Sequence, residues 1–491
     1  MRKDAGIDGD AQRLGQLSWL LFLKIFDSLE EDFEDDFEPT IEVKEYVSPI
    51  PKEFLWRNWA KGEKPITGDL LLEFINNELF PSLKALSVNK QVNPRAYVVK
   101  QAFEDAYNYM KNGTLLRQLI DKVDGISFET KDDRHLFGDM YEQILKDLQA
   151  AGNAGEFYTP RAVTQFMVAQ VNPQLGEKLI DPACGTGGFL TCSINHLKAQ
   201  CEDGPDFATM QNQINGVEKK QLPHLLCVTN LMLHGIEVPS NIRHGNTLAK
   251  NLREWKSDQK FDVIITNPPF GGTEEDGIEH NFPAATRTRE TADLFLQLII
   301  HVLKNNGRAA IVLPDGTLFG EGVTSKIKAK LLAECNLHTI VRLPNGVFAP
   351  YTGIKTNILF FSKNKDNETK GTKDIWFYEH PYPAGVTSYN KTKPMKFVEF
   401  KDEQEWWGDE SDGFAARVNN KQAWKVSIDE VIARNYNLDC KNPHQEEAIV
   451  HDPKELLADY DSQQKEIKNL RNKLKGILSS ALSDNGEGEV K

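Results

Sequence analysis

The apolar positions of the first 150 residues recur with a helical period. From Gln16 to Leu29 they fall three or four residues apart, which is the spacing of a helix with one buried face. The same spacing predicts helices at Gly68 to Leu79, Arg95 to Asn108 and Arg134 to Ala150. Polar or proline-bearing stretches separate these segments, so residues 1–150 are predicted to form an all-helical domain.

Beyond residue 151 the pattern switches repeatedly between strand and helix. Short apolar runs typical of strands lie at Leu179 to Asp181, Ile214 to Glu218, Phe261 to Thr266, Arg308 to Leu313, His338 to Leu343 and, as an outer strand, Trp376 to Glu379. Helical spacings lie between them, at Leu222 to Leu233, Ala292 to Leu303 and Thr324 to Glu334. This alternation predicts an α/β fold over residues 151–440, with a doubly wound, Rossmann-like parallel sheet.

The last part of the chain, residues 441–491, is predicted to be a helical tail. Its apolar residues alternate threes and fours, as in a short coiled-coil seam: Leu456, Tyr460, Ile467, Leu470, Leu474 and Ile477. A helix packed on its own domain would show the same spacing. Because Asp461 to Lys475 is otherwise charged all round, we favour a helix that packs against a partner chain.

A glycine-rich turn follows the first predicted strand of the sheet. Asp181 ends the strand, and Gly185, Gly187 and Gly188 let the backbone take up positive φ and pass close to a ligand. Asp181 can accept a hydrogen bond or face a cation. The string predicts a nucleoside-binding loop at the first crossover of the sheet, although structural turns and dinucleotide sites produce similar strings.

A second string, Asn267-Pro268-Pro269-Phe270, follows the strand that ends at Thr266. The Asn267 side chain and the Pro268 carbonyl can both accept hydrogen bonds from one exocyclic amine, and the two prolines hold them rigidly. Acceptors placed to bind an amine as its nitrogen becomes tetrahedral favour the transition state of its alkylation. Phe270 offers a face for a planar group. The string therefore predicts an amine-modifying site without a covalent enzyme intermediate.

Together these motifs resemble those of S-adenosylmethionine-dependent DNA methyltransferases that modify amino groups. Gly155 to Arg161 (Gly-Glu-Phe-Tyr-Thr-Pro-Arg) and Tyr351 to Asn357 (Tyr-Thr-Gly-Ile-Lys-Thr-Asn) are similar to the modification (HsdM) subunit of type I restriction-modification systems. The resemblance extends from Arg2 to Leu438. It implies that residues 151–440 are an S-adenosylmethionine-dependent methyltransferase domain, and Asn267 in place of Ser or Asp points to adenine N6 in duplex DNA.

The resemblance also implies the residues of the site. It assigns Asn267, Pro268 and Phe270 to catalysis. It assigns cofactor contacts to Glu156, Phe157, Tyr158, Thr159, Pro160, Arg161, Asp181, Thr186, Gly187, Gly188 and Glu218. From the residues themselves, Glu218 ends a strand where such folds bind ribose hydroxyls, and Thr159 can cap, with Pro160 in its first turn, a helix that runs through Gln165 to Val171.

Three further features of the methyltransferase-like region can each be interpreted in two ways. Asn246 stands where related enzymes often have Asp near the adenine ring, and its side-chain carbonyl can still accept a hydrogen bond from an amine. Residues 271–290, here called the post-motif loop, have the polar, glycine-containing composition of a mobile surface loop, and their position also suits a substrate-facing lid. An aromatic residue near Pro350 is expected beside an extruded base, but Phe348 can equally pack in the core.

The cysteine pattern argues against two kinds of cysteine-based structure. The six cysteines are scattered without a C-x-x-C pair, which argues for reduced cytoplasmic thiols and against both a disulfide framework and a zinc site. Cys184 lies inside the glycine-rich turn and is interpreted as a small buried side chain, not a nucleophile.

No apolar run reaches the roughly 18 residues of a membrane span, and no signal peptide is evident, so a cytoplasmic enzyme without membrane contact is expected.

The formal net charge of −14 bears on the partners of the chain. Part of the acidic excess lies in Glu30 to Glu38, which we interpret as a solvated loop or helix end. Because Lys and Arg supply most non-specific DNA affinity, such a chain should hold DNA poorly by itself. Either a basic cleft is hidden in the total or a partner brings the basic surface. The resemblance implies DNA, a specificity (HsdS) subunit, a second copy of this chain and a restriction (HsdR) motor-nuclease subunit.

Two other functions remain open at the level of sequence. Asn-Pro-Pro-aromatic strings also occur in enzymes that methylate glutamine side chains, although the helical front domain and the long tail speak against that substrate. A non-catalytic scaffold could carry the loops as structural remnants. The intact glycines and the intact Asn267-Pro268 pair disfavour the scaffold.

Overall fold

The computed structural model describes residues 1–40, 45–61, 65–149, 159–349, 351–364, 371–390, 392–444 and 453–484. The chain forms two compact units, Met1–Asn442 and Pro443–Lys491. The first unit contains the predicted helical region together with the sheet, and the second contains the C-terminal helix.

Within the described residues, nine strands form one sheet in the order β3-β2-β1-β4-β5-β7-β6-β8-β9. Pairing is parallel except that β7 runs antiparallel to β5 and β6, and β9 antiparallel to β8. The strands are β1 (Leu179–Asp181), β2 (Ile214–Glu218), β3 (Ile242–His244), β4 (Phe261–Thr266), β5 (Leu303–Pro314), β6 (Cys335–Arg342), β7 (Thr356–Lys363), β8 (Asp374–Glu379) and β9 (Ala423–Ser427). The predicted α/β class with a doubly wound sheet is confirmed. The strand expected at the edge of the sheet, β8, lies between β6 and β9, so that β9 is the edge strand.

Helices cover both faces of the sheet and form the N-terminal region. They are α1 (Asp10–Asp35), α2 (Trp56–Trp59), α3 (Gly68–Glu73), α4 (Phe80–Lys84), α5 (Pro94–Phe103), α6 (Gly113–Asp124), α7 (Lys131–Gln149), α8 (Arg161–Val171), α9 (Gly188–Lys198), α10 (Gly204–Gln213), α11 (Gln221–Leu233), α12 (Thr291–Val302), α13 (Asp315–Phe319), α14 (Val323–Glu334), α15 (Lys401–Trp406), α16 (Ile428–Ala433) and α17 (Pro453–Asp484). A π-helical segment, Phe74–Leu79, joins α3 to α4. Short 3-10 turns lie at Lys52–Phe54, Thr247–Ala249, Leu252–Glu254, Ser257–Gln259, Ile278–Asn281, Ala284–Thr286 and Phe397–Phe400.

Successive residues of the central strands belong to two hydrophobic cores, one on each face of the sheet. In β4, Val263 and Ile265 pack with the core that includes α8, α9 and α11, whereas Ile264 packs with the core that includes α12 and α14. This alternation is the side-chain period of a strand buried on both faces. The first core continues into the N-terminal helices, because α11 packs against α1, α5 and α7. The helical region is thereby fixed against the sheet.

The acidic run after the first predicted helix is not wholly solvated. Helix α1 continues through it to Asp35, and Glu30 is only 1% exposed. Tyr46 Oη donates a hydrogen bond to Glu30 Oε2 at 2.6 Å, and Arg95 Nη1 donates to Glu30 Oε1 at 3.1 Å. Burial raises the pKa of Glu30. The expectation of a loop or helix end therefore holds for the last residues of the run, not for Glu30, because long-range partners satisfy its carboxylate.

The C-terminal unit consists, in its described part, of α17. The seam residues Tyr460, Ile467, Leu470, Leu474 and Ile477 are 44–70% exposed along this helix. The side chain of Leu456 lies outside the described residues. Across the part of the chain that the structure describes, no helix has both the length and the apolar composition to span a bilayer.

Candidate active site

Strands β1, β2 and β4 bring three predicted site residues to one edge of the sheet. Asp181 and Glu218 are the last residues of β1 and β2, and Asn267 follows the last residue of β4. Because β1 pairs in parallel with both neighbours, the carboxyl ends of all three strands meet at this edge. Such an edge is where open α/β sheets bind their ligands.

The glycine-rich turn packs directly on α11. Gly185 and Gly187 have φ of 53° and 84°, a region that glycine enters without steric cost. A Cβ atom on Gly187 would lie 2.9 Å from Cys227 Sγ and 3.0 Å from Leu231 Cδ1. Gly187 is therefore needed both for its backbone conformation and for the close approach of the turn to the helix.

Polar contacts hold the rest of the turn in place. Cys184 N donates to the Val217 carbonyl at 3.0 Å, and Asn230 Nδ2 donates to the Thr186 carbonyl at 3.1 Å. Cys184 is 5% exposed, with Sγ 3.8 Å from Cys227 Sγ. The hydrogen bond with Cys227, together with burial, raises the pKa of the Cys184 thiol. The prediction of a small buried side chain is confirmed.

Asp181 is a buried carboxyl group beneath the turn. It is 1% exposed, and its Oδ1 accepts hydrogen bonds from Thr266 Oγ1 at 2.7 Å and from Ala183 N at 3.1 Å. Burial raises the pKa of Asp181 to about 7, and the nearby Glu218 acts in the same direction. Asp181 thus links β1 to β4 directly before the Asn267 string.

Glu218 uses its two carboxylate oxygens to order two loops. Oε2 accepts a hydrogen bond from Gly185 N at 3.0 Å, and Oε1 accepts one from Lys220 N at 2.8 Å. The residue is 7% exposed, and burial raises its pKa. Each oxygen retains lone-pair capacity for a further donor, such as a ribose hydroxyl.

Asn267 presents an unpaired acceptor. Its Nδ2 donates a hydrogen bond to Thr159 Oγ1 at 2.9 Å. Its Oδ1 is buried and has no hydrogen-bond partner among the described residues. A buried polar atom without a partner is costly unless a ligand satisfies it, so this oxygen is suited to receive a donor such as an amine. Pro268 is buried and Pro269 exposed, which places the rigid pair at the surface of the site.

The contact with Thr159 corrects the predicted helix cap. Helix α8 begins at Arg161 with Pro160 at its N-cap position, and no side chain caps it. Thr159 lies one residue farther out, where its hydroxyl reaches Asn267 instead of the helix amides. Sequence spacing alone could not find this partner, because the two residues are 108 positions apart.

Arg161 joins the turn to the helical region. Its guanidinium forms an ion pair with Glu142 of α7 and donates to the Gly188 carbonyl at 2.6 Å and to Thr191 Oγ1 at 2.8 Å. Sequence reasoning missed Glu142, which also accepts from Asn230 Nδ2 at 3.1 Å. The predicted cofactor residues Glu156, Phe157 and Tyr158 lie outside the described residues.

Phe270 and Phe348 form an edge-to-face aromatic pair beside the site. The ring centroids of Phe270 and Phe348 lie 5.9 Å apart at an interplanar angle of 83°. Phe348 is 5% exposed, and Phe270 is half-buried. Of the two interpretations of Phe348, core packing therefore fits the structure, whereas Tyr351 is 41% exposed. Pro350 lies outside the described residues.

The post-motif loop is anchored beside Asn246. Glu274 of this loop is 9% exposed, and its Oε2 accepts hydrogen bonds from Asn246 Nδ2 at 3.0 Å and from Lys219 Nζ at 3.1 Å. Asn246 Oδ1 accepts from Leu248 N at 2.9 Å. The composition of the loop gave no signal for a buried glutamate, because its partners come from two distant segments.

The order of the strands and the Asn267-Pro268-Pro269-Phe270 string after β4 are those of an S-adenosylmethionine-dependent methyltransferase. The family model described as N-6 DNA Methylase matches residues 132–452, and the HsdM N-terminal domain model matches residues 1–123. The chain belongs to the N-6 DNA methylase family.

Individual relatives cover nearly the whole chain. It is 66% identical to the type I restriction enzyme EcoEI methylase subunit of Escherichia coli, over 99% of this chain and 96% of that protein. A crystal structure of a modification subunit of a candidate type I restriction enzyme from Vibrio vulnificus YJ016 is 44% identical, with a TM-score of 0.78 over 92% of this chain and 96% of that one. A chain from a structural study of complex assembly and conformational transition of the type I R-M system is 34% identical, with a TM-score of 0.79. The match covers 99% of this chain and 96% of that one.

Proposed function

We propose that this chain methylates adenine N6 in a specific duplex DNA sequence, as the modification subunit of a type I restriction-modification complex. The observation that carries this proposal is the buried, unpaired Oδ1 of Asn267, held in a rigid Asn-Pro-Pro string at the carboxyl end of β4. The family match and the identity to a type I methylase subunit support the substrate class and the assembly.

The edge of the sheet fits S-adenosylmethionine, which supplies an electrophilic methyl group when bound. Glu218 retains carboxylate lone pairs at the end of β2 for ribose hydroxyls. The positive-φ glycines let the backbone of the turn approach the ligand closely. The residues proposed to hold the cofactor are Glu156, Phe157, Tyr158, Thr159, Pro160, Arg161, Asp181, Thr186, Gly187, Gly188 and Glu218.

Asn267, Pro268 and Phe270 are the proposed catalytic residues. Because the lone pair of an adenine amine is delocalised into the ring, the free amine is a poor nucleophile. Asn267 Oδ1 and the Pro268 carbonyl would accept hydrogen bonds from its two N–H groups as the nitrogen becomes tetrahedral, which stabilises the transition state more than the ground state. Phe270 would stack on the base after it leaves the duplex.

The assembly supplies what the chain lacks for reading DNA. A net charge of −14 disfavours DNA binding by this chain alone, so a specificity subunit is proposed to provide the base contacts. Two copies of this chain would clasp that subunit, and a restriction subunit would join them. The exposed apolar residues of α17 are suited to such a contact. The complex is proposed to act in the cytoplasm, where its DNA substrate lies.

Sequencing of modified bases in cells tests the proposal. The chain is expressed with and without its specificity subunit in a host that lacks DNA methylation. We expect N6-methyladenine at one defined sequence only when both subunits are present. Site-specific methylation by this chain alone would contradict the division of labour, and unmodified DNA with a methylated glutamine in a host protein would favour the alternative substrate.

A further inference from the structure

Glu274 joins three segments at the carboxyl edge of the sheet. Its Oε2 accepts hydrogen bonds from Lys219, which follows the last residue of β2, and from Asn246, which lies two residues after β3. Its backbone is also fixed, because Glu274 N donates to the Arg289 carbonyl at 2.9 Å and Arg289 Nη2 donates to the Glu274 carbonyl at 2.7 Å. The carboxylate is therefore held in one place and is not a freely solvated side chain.

The order of the strands indicates which part of the cofactor comes nearest to Glu274. The strands run β3-β2-β1-β4 along the edge. The methyl group must be delivered beside Asn267 at β4, and the acid that ends β2, Glu218, is placed for the ribose. S-adenosylmethionine laid along this edge, with its sulfur toward β4, therefore places the adenine toward the end of β3, beside Asn246 and Glu274.

Asn246 is poorly arranged to accept a hydrogen bond from the exocyclic amine of that adenine. Its Oδ1 already accepts a hydrogen bond from Leu248 N, and its Nδ2 donates one to Glu274. Glu274, in contrast, has a side-chain oxygen that can still accept a hydrogen bond. Both of its side-chain hydrogen bonds use Oε2, and Oε1 accepts none from the residues that the structure describes. Oε1 of this largely buried residue is thus available as an acceptor at this end of the edge.

We propose that Glu274 is a specificity-determining residue of the cofactor site, whose Oε1 accepts a hydrogen bond from the exocyclic amine of the cofactor's adenine. Lys219 and Asn246 orient the carboxylate, and the ammonium of Lys219 compensates its charge. The Asp that related enzymes often carry at position 246 is in this way replaced by a carboxylate from the post-motif loop. The inference rests on the proposed function, since it requires that S-adenosylmethionine bind at this edge.

The consequence is a direct link between cofactor and catalytic loop. The post-motif loop begins immediately after Phe270, and Glu274 is its buried anchor. Occupation of the adenosine site would therefore tighten the segment that follows the catalytic string. A loop tied in this way would be ordered before the extruded base arrives.

A comparison of two ligands on the full chain tests the proposal by calorimetry, without any methyl transfer. S-adenosylhomocysteine carries the amine, and S-inosylhomocysteine carries a carbonyl oxygen with a protonated ring nitrogen in its place. Glu274→Gln keeps the size of the side chain and removes its charge. Glu275→Gln is the matched control, because Glu275 pairs with the same Lys219 at 3.0 Å but its side chain is 74% exposed.

We expect the unaltered chain and Glu275→Gln to prefer S-adenosylhomocysteine, and Glu274→Gln to lose roughly tenfold or more of that preference, as for a hydrogen bond to a charged group. The ratio of affinities within one variant cancels any general loss of binding. An unchanged ratio in Glu274→Gln would overturn the inference and leave the proposed function standing. An unaltered chain with no affinity for S-adenosylhomocysteine would contradict both.

Discussion

Asn267 Nδ2 lies 2.9 Å from Thr159 Oγ1, and in this hydrogen bond the amide nitrogen donates and the threonine hydroxyl accepts. With the nitrogen committed to Thr159, the oxygen is the end left for an amine. Rotation of the amide by half a turn would present a donor to a donor. In this arrangement Thr159 holds the amide with its oxygen, Oδ1, buried and unpaired among the described residues.

Thr159→Val should lower the rate of methyl transfer by the complex. The loss of one neutral hydrogen bond, about 0.5 to 1.5 kcal/mol, corresponds to a fall in kcat of roughly twofold to tenfold. Single-turnover kinetics with the reconstituted complex measure the rate. Thr159→Ser keeps the hydroxyl and should stay near the parental rate. A fall in cofactor affinity with unchanged kcat would instead assign the threonine to cofactor binding alone.

Gly187→Ala should destabilise the protein and weaken cofactor binding together. The substitution forces a Cβ into left-handed backbone and to within 2.9 Å of Cys227 Sγ, for a cost of roughly 2 to 4 kcal/mol. Denaturant unfolding and calorimetry with S-adenosylhomocysteine measure the two effects.

Gly188→Ala is the matched control for this substitution. A Cβ there would meet Thr164 Cγ2 at 3.7 Å, an ordinary contact, and stability should change little. Adding Cys227→Ala to Gly187→Ala should recover part of the lost stability by removing the clashing sulfur. Equal effects of the two glycine substitutions would show that close packing on α11 is not the cause.

The pH dependence of stability should report the buried carboxyl of Asp181. Its pKa is about 7 in the folded chain and 3.8 in its ordinary state, so the folded state holds a proton that the unfolded state has released. This group therefore lowers the free energy of unfolding as pH rises from about 4 to about 7. At 1.36 kcal/mol per pKa unit, its share is at most roughly 4 kcal/mol.

Asp181→Asn keeps the Oδ1 acceptor for Thr266 and Ala183 while removing the ionisation. We expect the unfolding free energy of this variant to fall less between pH 4 and pH 7 than that of the unaltered chain. Denaturant titrations at several pH values give the comparison. Parallel pH profiles for the two proteins would mean that Asp181 is ionised normally in the folded state.

Phe270 and Phe348 should respond differently to truncation. Phe348→Ala removes a ring that is 5% exposed and should cost roughly 3 to 5 kcal/mol of stability. Phe270→Ala should cost less stability, since the residue is only half-buried, and should weaken retention of the extruded base by about 1 to 3 kcal/mol. Unfolding titrations and fluorescence of 2-aminopurine at the target position separate the two roles.

Local patterns predicted the sheet well on the side that carries the site. The strand bounds Ile214–Glu218 and Phe261–Thr266 were predictable, the first from the acid that ends it and the second from its apolar residues. Strands β3, β7 and β9 were not predicted. The antiparallel insertion of β7 between β5 and β6 depends on long-range pairing, which no local period encodes.

Helix α6 was missed although its signal is present. Asn112 accepts a hydrogen bond from Leu115 N at the start of α6, as an N-cap residue does, and apolar residues follow at helical spacing. The contacts that organise the site belong to a different class. Thr159 with Asn267, Arg161 with Glu142, and Glu274 with Asn246 each join residues at least 19 positions apart, so only the folded chain brings them together.

The central claim is that Asn267 acts on the adenine amine and not on the cofactor. The most direct test is Asn267→Ala in the complex reconstituted with the specificity subunit, with methyl transfer to target DNA and calorimetric binding of S-adenosylhomocysteine measured on the same preparation. We predict no detectable N6-methyladenine and a cofactor affinity within about twofold of the unaltered protein. Methylation by the variant at the parental rate would contradict the account.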